Sequence, residues 1–300
     1  VNDGIQLWLP DVMPAAKQAL IRQTVGKLSA IKGIVALVLG GSYARGTQRP
    51  DSDIDLGLYY AEAEPFSLEA VRQIVQQISD DKSISTVTGF YEWGAWVNGG
   101  AWIHTAAGKM DFLYRNLDQV RQTIADSQAG KWALDYLQQP PYGFHSVIYL
   151  AETQACWPLY DPQGVIAELK RTILTYPVAL KQRIIQDSLW LTEFTLIHAR
   201  TFAANGDVYN TVGCFTRALS QMTQVLFALN ETYLMSDKKA LQIIESFPIK
   251  PPDYAVRVTA ILAHPGSTSA ELSAAAAALT ALFQGLVDLA GSYYQPRFNL

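Results

Sequence analysis

Cysteine is nearly absent from this sequence. The 300 residues include two, Cys156 and Cys214. They lie far apart and match no metal-ligand spacing, which excludes a disulfide-stapled scaffold or a zinc ribbon. Buried free thiols are expected instead. Histidine is also scarce: His104, His145, His198 and His264 share no zinc-binding spacing, and each is expected to be a hydrogen-bonded structural residue. No basic tract or stripe occurs. Residues 1–126 carry 14 acids against 11 Lys and Arg, residues 127–300 carry 13 against 12, and the net charge is −4. An extended nucleic-acid surface is therefore not expected, and a small, cationic substrate fits better. No uninterrupted apolar run reaches the roughly 18 residues of a membrane span, and no basic stretch leads into an apolar one at the start. The reading is a soluble, cytoplasmic protein without a membrane partner. Nothing in the sequence bears on its oligomeric state.

Apolar residues make up 49% of the chain and charged residues 17%, the composition of a folded protein. Its length suits two domains better than one. Apolar spacing predicts a helix over 11–30. The run Ile34–Leu39, bounded by Gly33 and Gly40-Gly41, predicts a buried strand, and Ile54–Tyr60 a second one after the Arg49-Pro50-Asp51 turn. A helix is expected over 67–78, two or three strands over 85–115, and a helix over 117–125. A further strand is expected over 146–150. Beyond about residue 127 helices dominate: 177–204, one capped by Asp207, and an alanine-dense one over 268–292. In the second of these, Val212, Phe215, Leu219, Met222, Leu226 and Leu229 form one apolar seam. Arg217, Gln221 and Gln224 are expected on its solvated face. The expected class is α+β: an N-terminal α/β domain with a mixed sheet, residues 1–126, followed by a mainly helical bundle, residues 127–300.

Two segments carry chemistry. In Leu39-Gly40-Gly41-Ser42-Tyr43-Ala44-Arg45-Gly46 a strand enters a Gly-Gly-Ser turn and then a short helix. Glycine admits close approach of backbone amides to a phosphate, the Ser42 hydroxyl adds a donor, and Arg45 adds a charged contact. After ten intervening residues Ser42 is followed by Asp53-Ile54-Asp55. Two carboxylates spaced by two on a strand share one face. They repel unless a cation lies between them, which makes the pair a poor structural choice and a good Mg²⁺ site. Asp111, flanked by Met110 and Phe112 in another strand-like run, is a candidate third carboxylate for a two-metal cluster.

Gly41-Ser42, Asp53-Ile54-Asp55 and Asp111 together resemble the nucleotidyltransferase superfamily that includes DNA polymerase β and the aminoglycoside nucleotidyltransferases. The string Gly-Ser-Tyr-Ala-Arg-Gly-Thr with Ser-Asp-Ile-Asp-Leu is similar to its bacterial small-molecule branch. The resemblance covers about the first 115 residues; the helical remainder resembles, more loosely, the bundle of the antibiotic-modifying members. It implies that Gly41 and Ser42 hold a triphosphate, that Asp53, Asp55 and Asp111 bind two Mg²⁺ ions, and that Asp111 helps deprotonate the acceptor. The implied reaction moves a nucleoside monophosphate, AMP from ATP before other nucleoside triphosphates, onto a hydroxyl of a small molecule such as an aminoglycoside or lincosamide. The rivals are an adenylylated protein or RNA acceptor, as in antitoxin-like members, and a nucleotide-binding regulator without turnover. The missing basic stripe counts against RNA, and the three intact acids count against the regulator. Glu92 is a candidate base or an ordinary strand-edge residue. Trp93, Trp96 and Trp102 form either an aromatic platform for a substrate ring or packing beneath the sheet. Lys170-Arg171 reads as solvated.

Overall fold

The structure, a computed structural model, describes residues 7–80 and 85–298. The apolar run after Gly33 becomes β1 (Ala36–Leu39), and the turn after it becomes the single-turn helix α2 (Gly41–Ala44). β2 (Ile54–Tyr60) has the bounds its alternation predicts. α1 (Ala15–Leu28) buries Ile21, Val25 and Leu28. α3 (Leu68–Ile78) starts at Ser67, whose side chain accepts a hydrogen bond from the Ala70 amide, and buries Val71, Ile74, Val75 and Ile78. Next come β3 (Thr86–Val87), β4 (Gly100–Thr105), β5 (Gly108–Asn116) and α4 (Leu117–Gln128). One six-stranded sheet results, ordered β3-β4-β5-β2-β1-β8, with β8 at Trp157–Tyr160. β2 and β5 run parallel and the other pairs antiparallel, so the sheet is mixed as expected. Its buried face packs Leu37, Leu39, Ile54, Leu56, Leu58, Ile103, Met110, Phe112 and Tyr114 with the apolar stripes of α1 and α3.

The chain forms two compact units, Val1–Ala125 with Tyr149–Thr175, and Asp126–Ile148 with Tyr176–Leu300. The first is therefore discontinuous in sequence, where a single boundary after residue 126 was expected. Its second stretch supplies most of α5 (Val147–Ala155), the edge strand β8 and α6 (Val165–Thr172). The strand expected over 146–150 is helical: residues Val147 to Ala151 are all buried, and burial on every side removes the periodicity that separates helix from strand. Lys170, expected to be solvated, donates to the carbonyls of Gln154 (2.7 Å) and Cys156 (2.6 Å).

The second unit holds the short hairpin β6 (Leu134–Asp135) and β7 (Phe144–His145), and the helices α7 (Val178–Ala204), α8 (Val208–Leu229), α9 (Ala240–Glu245), α10 (Tyr254–Ala263) and α11 (Ser269–Ala290). Asp207 caps α8 by accepting from the Asn210 amide, as expected. The seam through Phe215, Leu219, Met222, Leu226 and Leu229 is buried. Gln221 and Gln224 correct the expected solvated face, because both are buried while Arg217 is exposed. α8 has α7, α9, α10 and α11 as neighbours, which leaves it little open surface. The stretch Ser269–Tyr293 is long and apolar enough by composition to cross a membrane. Here its Leu272, Leu279, Leu282, Phe283 and Leu286 are buried, and α11 packs against α7 and α8. His145 departs from expectation: it is buried to 1% exposure with neither ring nitrogen hydrogen-bonded, and burial lowers its pKa to about 4.

Glu193 of α7, fully buried, accepts from the Tyr294 hydroxyl and from the amides of Arg297 (2.9 Å) and Phe298 (2.7 Å). It fastens the segment after α11 to the bundle. Glu193→Ala leaves three donors unsatisfied and is expected to lower stability by about 3 kcal/mol. Urea denaturation would measure the loss, and faster hydrogen exchange at residues 294–298 would locate it.

Candidate functional site

Strand alternation divides the sheet into a core face and an opposite face. Opposite the core lie Asp55 of β2, Asp111 of β5 and Trp102 of β4. Asp55 is the register partner of Asp111, and Asp111 that of Trp102. With neighbouring strands about 4.8 Å apart, the three side chains form one row across the sheet. Asp53 sits one residue before β2 and is near enough to act on Asp55. The structure thus places Asp55 and Asp111 on one face, with Asp53 close to Asp55.

The glycine turn lies against this row. Gly41 has φ +60°, and a Cβ there would stand 1.7 Å from Asp55 Oδ2. The turn is glycine because a carboxylate occupies the space of its side chain and because its backbone is left-handed. The Gly40 amide donates to the Asp55 carbonyl at 2.9 Å, tying β1 to β2 where the turn begins. Ser42 lies in the first turn of α2, whose leading amides have no intrahelical acceptor. Arg45 is exposed, donates from Nε to the Gly41 carbonyl (3.1 Å), and its charge lowers the pKa of Asp55.

That lowering is outweighed. Burial, then Asp111, Asp53 and Glu152, push Asp55 from 3.8 up to about 6. Burial is the largest cause, the three neighbouring carboxylates add to it, and Arg45 offsets only part of it. All-oxygen, anionic donors suit a hard divalent ion. Among the described residues, no three Asp, Glu, His or Cys side chains form a preformed metal cage. Mg²⁺ is commonly held by one or two carboxylates with substrate phosphates completing its shell, and this donor set fits that arrangement.

Two residues near the row escaped the sequence reading. Glu152 of α5 takes both arms of Arg115 at 2.8 Å each. Arg115 is buried and also donates to the Tyr114 carbonyl at 2.9 Å. The signal was an arginine next to the apolar run Phe112-Leu113-Tyr114, where a buried guanidinium needs an acid. Lys17 of α1 is 6% exposed and lies on the same buried helical stripe as Ile21, Thr24 and Leu28. Its Nζ donates to the Tyr43 hydroxyl (3.1 Å) and the Ser52 carbonyl (2.5 Å), linking α2 to the turn that delivers Asp53. A lysine on an apolar stripe was the available sign. Glu92, left open between base and edge residue, accepts from the Gly89 amide at 2.6 Å on an exposed turn.

A mixed sheet carrying paired acids beside a Gly-Ser turn is the arrangement expected of a nucleotidyltransferase domain. Residues 21–88 match the family model described as the nucleotidyltransferase domain. The matched span includes Gly41, Ser42, Arg45, Asp53 and Asp55 and ends before Asp111. The chain is also similar in structure to a nucleotidyltransferase-like protein from Exiguobacterium sibiricum 255-15, at 10% identity and TM-score 0.47 over 93% of this chain and 78% of that one. No curated protein matches the sequence. Residues 21–88 thus resemble a nucleotidyltransferase domain, and nucleotide transfer is the general activity that such a domain supports.

The raised pKa of Asp55 sets a pH dependence. Between about pH 3.8 and 6 the folded protein keeps a proton on Asp55 that the unfolded chain has lost. Stability therefore falls as pH rises through this window, by up to roughly 3 kcal/mol. Asp55→Asn, which cannot ionise, escapes this loss. The metal-free variant should match wild type near pH 4 and melt higher at pH 7.5, as calorimetry across the range would show. A second expectation follows from the glycine turn. Gly41→Ala is expected to displace the Asp55 carboxylate and cost about 1–2 kcal/mol from the left-handed backbone alone. A crystal structure and melting curves of that variant would test both effects.

Proposed function

We propose that the protein transfers a nucleoside monophosphate, AMP from ATP in the first instance, to a hydroxyl of a small molecule in a Mg²⁺-dependent reaction. The observation that carries this reading is the placement of Asp55 beside Asp111 on parallel strands, with the Asp55 carboxylate against the backbone of Gly41. Acidic ligands and a phosphate-accepting turn then share one end of β2. Gly41 and Ser42 hold the pyrophosphate end of the triphosphate, with Arg45 at the rim. Asp53, Asp55 and Asp111 hold the metal, two ions in the full complex. Mg²⁺ bound there would offset charge on the phosphoryl oxygens and favour the ionised acceptor. The bond from acceptor oxygen to the α-phosphorus forms as the α–β anhydride bond breaks, pyrophosphate leaves, and the hydroxyl proton passes to Asp111.

The acidic surroundings favour a cationic acceptor, so an aminoglycoside or lincosamide antibiotic, and thus a role in resistance within the cytoplasm, is the first class to screen. Pyrophosphate release from ATP and Mg²⁺ across a panel of such acceptors tests the reading directly. Asp53→Asn and Asp55→Asn are expected to reduce turnover at least a thousandfold while the fold persists, and near-wild-type turnover in either would defeat it. Ser42→Ala is expected to weaken binding of a non-hydrolysable ATP analogue by about 1 kcal/mol, measured by titration calorimetry.

A further inference from the structure

Trp102 does not pack beneath the sheet. It is on the face opposite the core, 50% exposed, and directly beside Asp111 in the register. Trp93 stacks on it with ring centroids 4.3 Å apart and planes at 24°. Gly100, two residues before Trp102, leaves room for the stack: a Cβ there would meet the Phe112 carbonyl oxygen at 1.9 Å and Trp93 Cζ3 at 3.0 Å. The result is an open aromatic surface in line with the carboxylates, in the order Gly41 turn, Asp55, Asp111, Trp102.

We infer that the Trp102–Trp93 stack is the acceptor platform, and that its indole face selects a ring bearing an ammonium group. The inference rests on the transfer reaction proposed above and adds to it the residues that recognise the acceptor. In an in-line displacement the incoming oxygen and the departing pyrophosphate lie on opposite sides of the phosphorus. With the pyrophosphate at Gly41 and Ser42, beyond Asp55, the oxygen arrives from the Asp111 and Trp102 side. A nucleobase is attached to the phosphorus being attacked and has no need to occupy that approach. An indole face attracts cations through its quadrupole, most strongly of the aromatic side chains. Asp111 beside it adds an anion that holds the ammonium group and rejects an acidic acceptor. Asp53 and Asp55 extend the negative field, which Arg45 opposes in part, while Glu152 is paired with Arg115.

The test uses the full chain with Mg²⁺ and α,β-methylene-ATP, and two ring probes: 2-deoxystreptamine, which carries amines, and myo-inositol, which is neutral. Calorimetry with wild type, Trp102→Ala and Trp102→Phe reads each affinity. At half exposure, Trp102 can be truncated without unfolding the sheet, and a melting curve confirms it. The expected result is binding of 2-deoxystreptamine in preference to myo-inositol, weakened about tenfold in Trp102→Ala and less in Trp102→Phe. Affinity for the nucleotide should stay within about twofold in both variants. Loss of nucleotide affinity with unchanged amine binding would assign the stack to the nucleobase and overturn the inference. Equal binding of the two rings, or no binding of 2-deoxystreptamine by a wild type that binds nucleotide, would overturn it too. A wild type that binds the amine but no nucleotide would sink the transferase reading instead, leaving the platform's preference for cationic rings measured on its own.

Discussion

Asp55 is held where a carboxylate is least comfortable. One side of it is the backbone of Gly41 and another is Asp111, its partner on the parallel strand. Much of the first unit serves that placement. The register of β2 on β5 sets the two acids side by side, and a slip by one residue would send Asp55 into the core with Leu56 outward. The left-handed Gly41 gives the carboxylate its room and bends the chain from β1 into α2. Burial and the charge of its neighbours together make Asp55 hold its proton more tightly than a free carboxylate does.

The polar residues buried around the sheet serve the same end by different means. Lys17 stands in the first turn of α1, where the helix dipole disfavours a cation, and is out of water besides. Both costs are offset by its hydrogen bonds to Tyr43 and Ser52, the two segments that flank the acids. Arg115 and Glu152 form a two-armed pair that joins α5 to the end of β5 and brings a fourth carboxylate within reach of Asp55. Truncating one partner of such a pair strands the other charge, so these contacts specify geometry more than they add stability.

What the sequence disclosed and what it concealed differ by whether the signal was local. β2, α7, α8 and α11 have strong patterns with caps or turns at their ends, and they stand within a residue or two of where the pattern puts them. The acids and the glycine turn were legible because their spacing is chemical. β8 was not: four residues containing Pro158 become a strand only because the edge of β1 is there to pair with. Gln221 and Gln224 look solvated until neighbouring helices enclose α8. Glu152 and Lys17 matter through partners distant in sequence, 37 residues away at Arg115 and 35 at Ser52. The outward aim of Trp102 depended on knowing which β4 residues alternate into the core.

The return of β8 to the edge of β1 has a consequence for how the chain is made. When the ribosome has synthesised the chain through residue 125, five of the six strands exist but the backbone of β1 has no partner on its outer side. Such an edge is a template for pairing with other chains. It stays open until residues 157–160 arrive, after a segment belonging to the other unit has been made. At typical translation rates that wait is roughly 2–7 s. The interrupted order of the two units thus leaves the nascent sheet with an unpaired β1 edge for that interval.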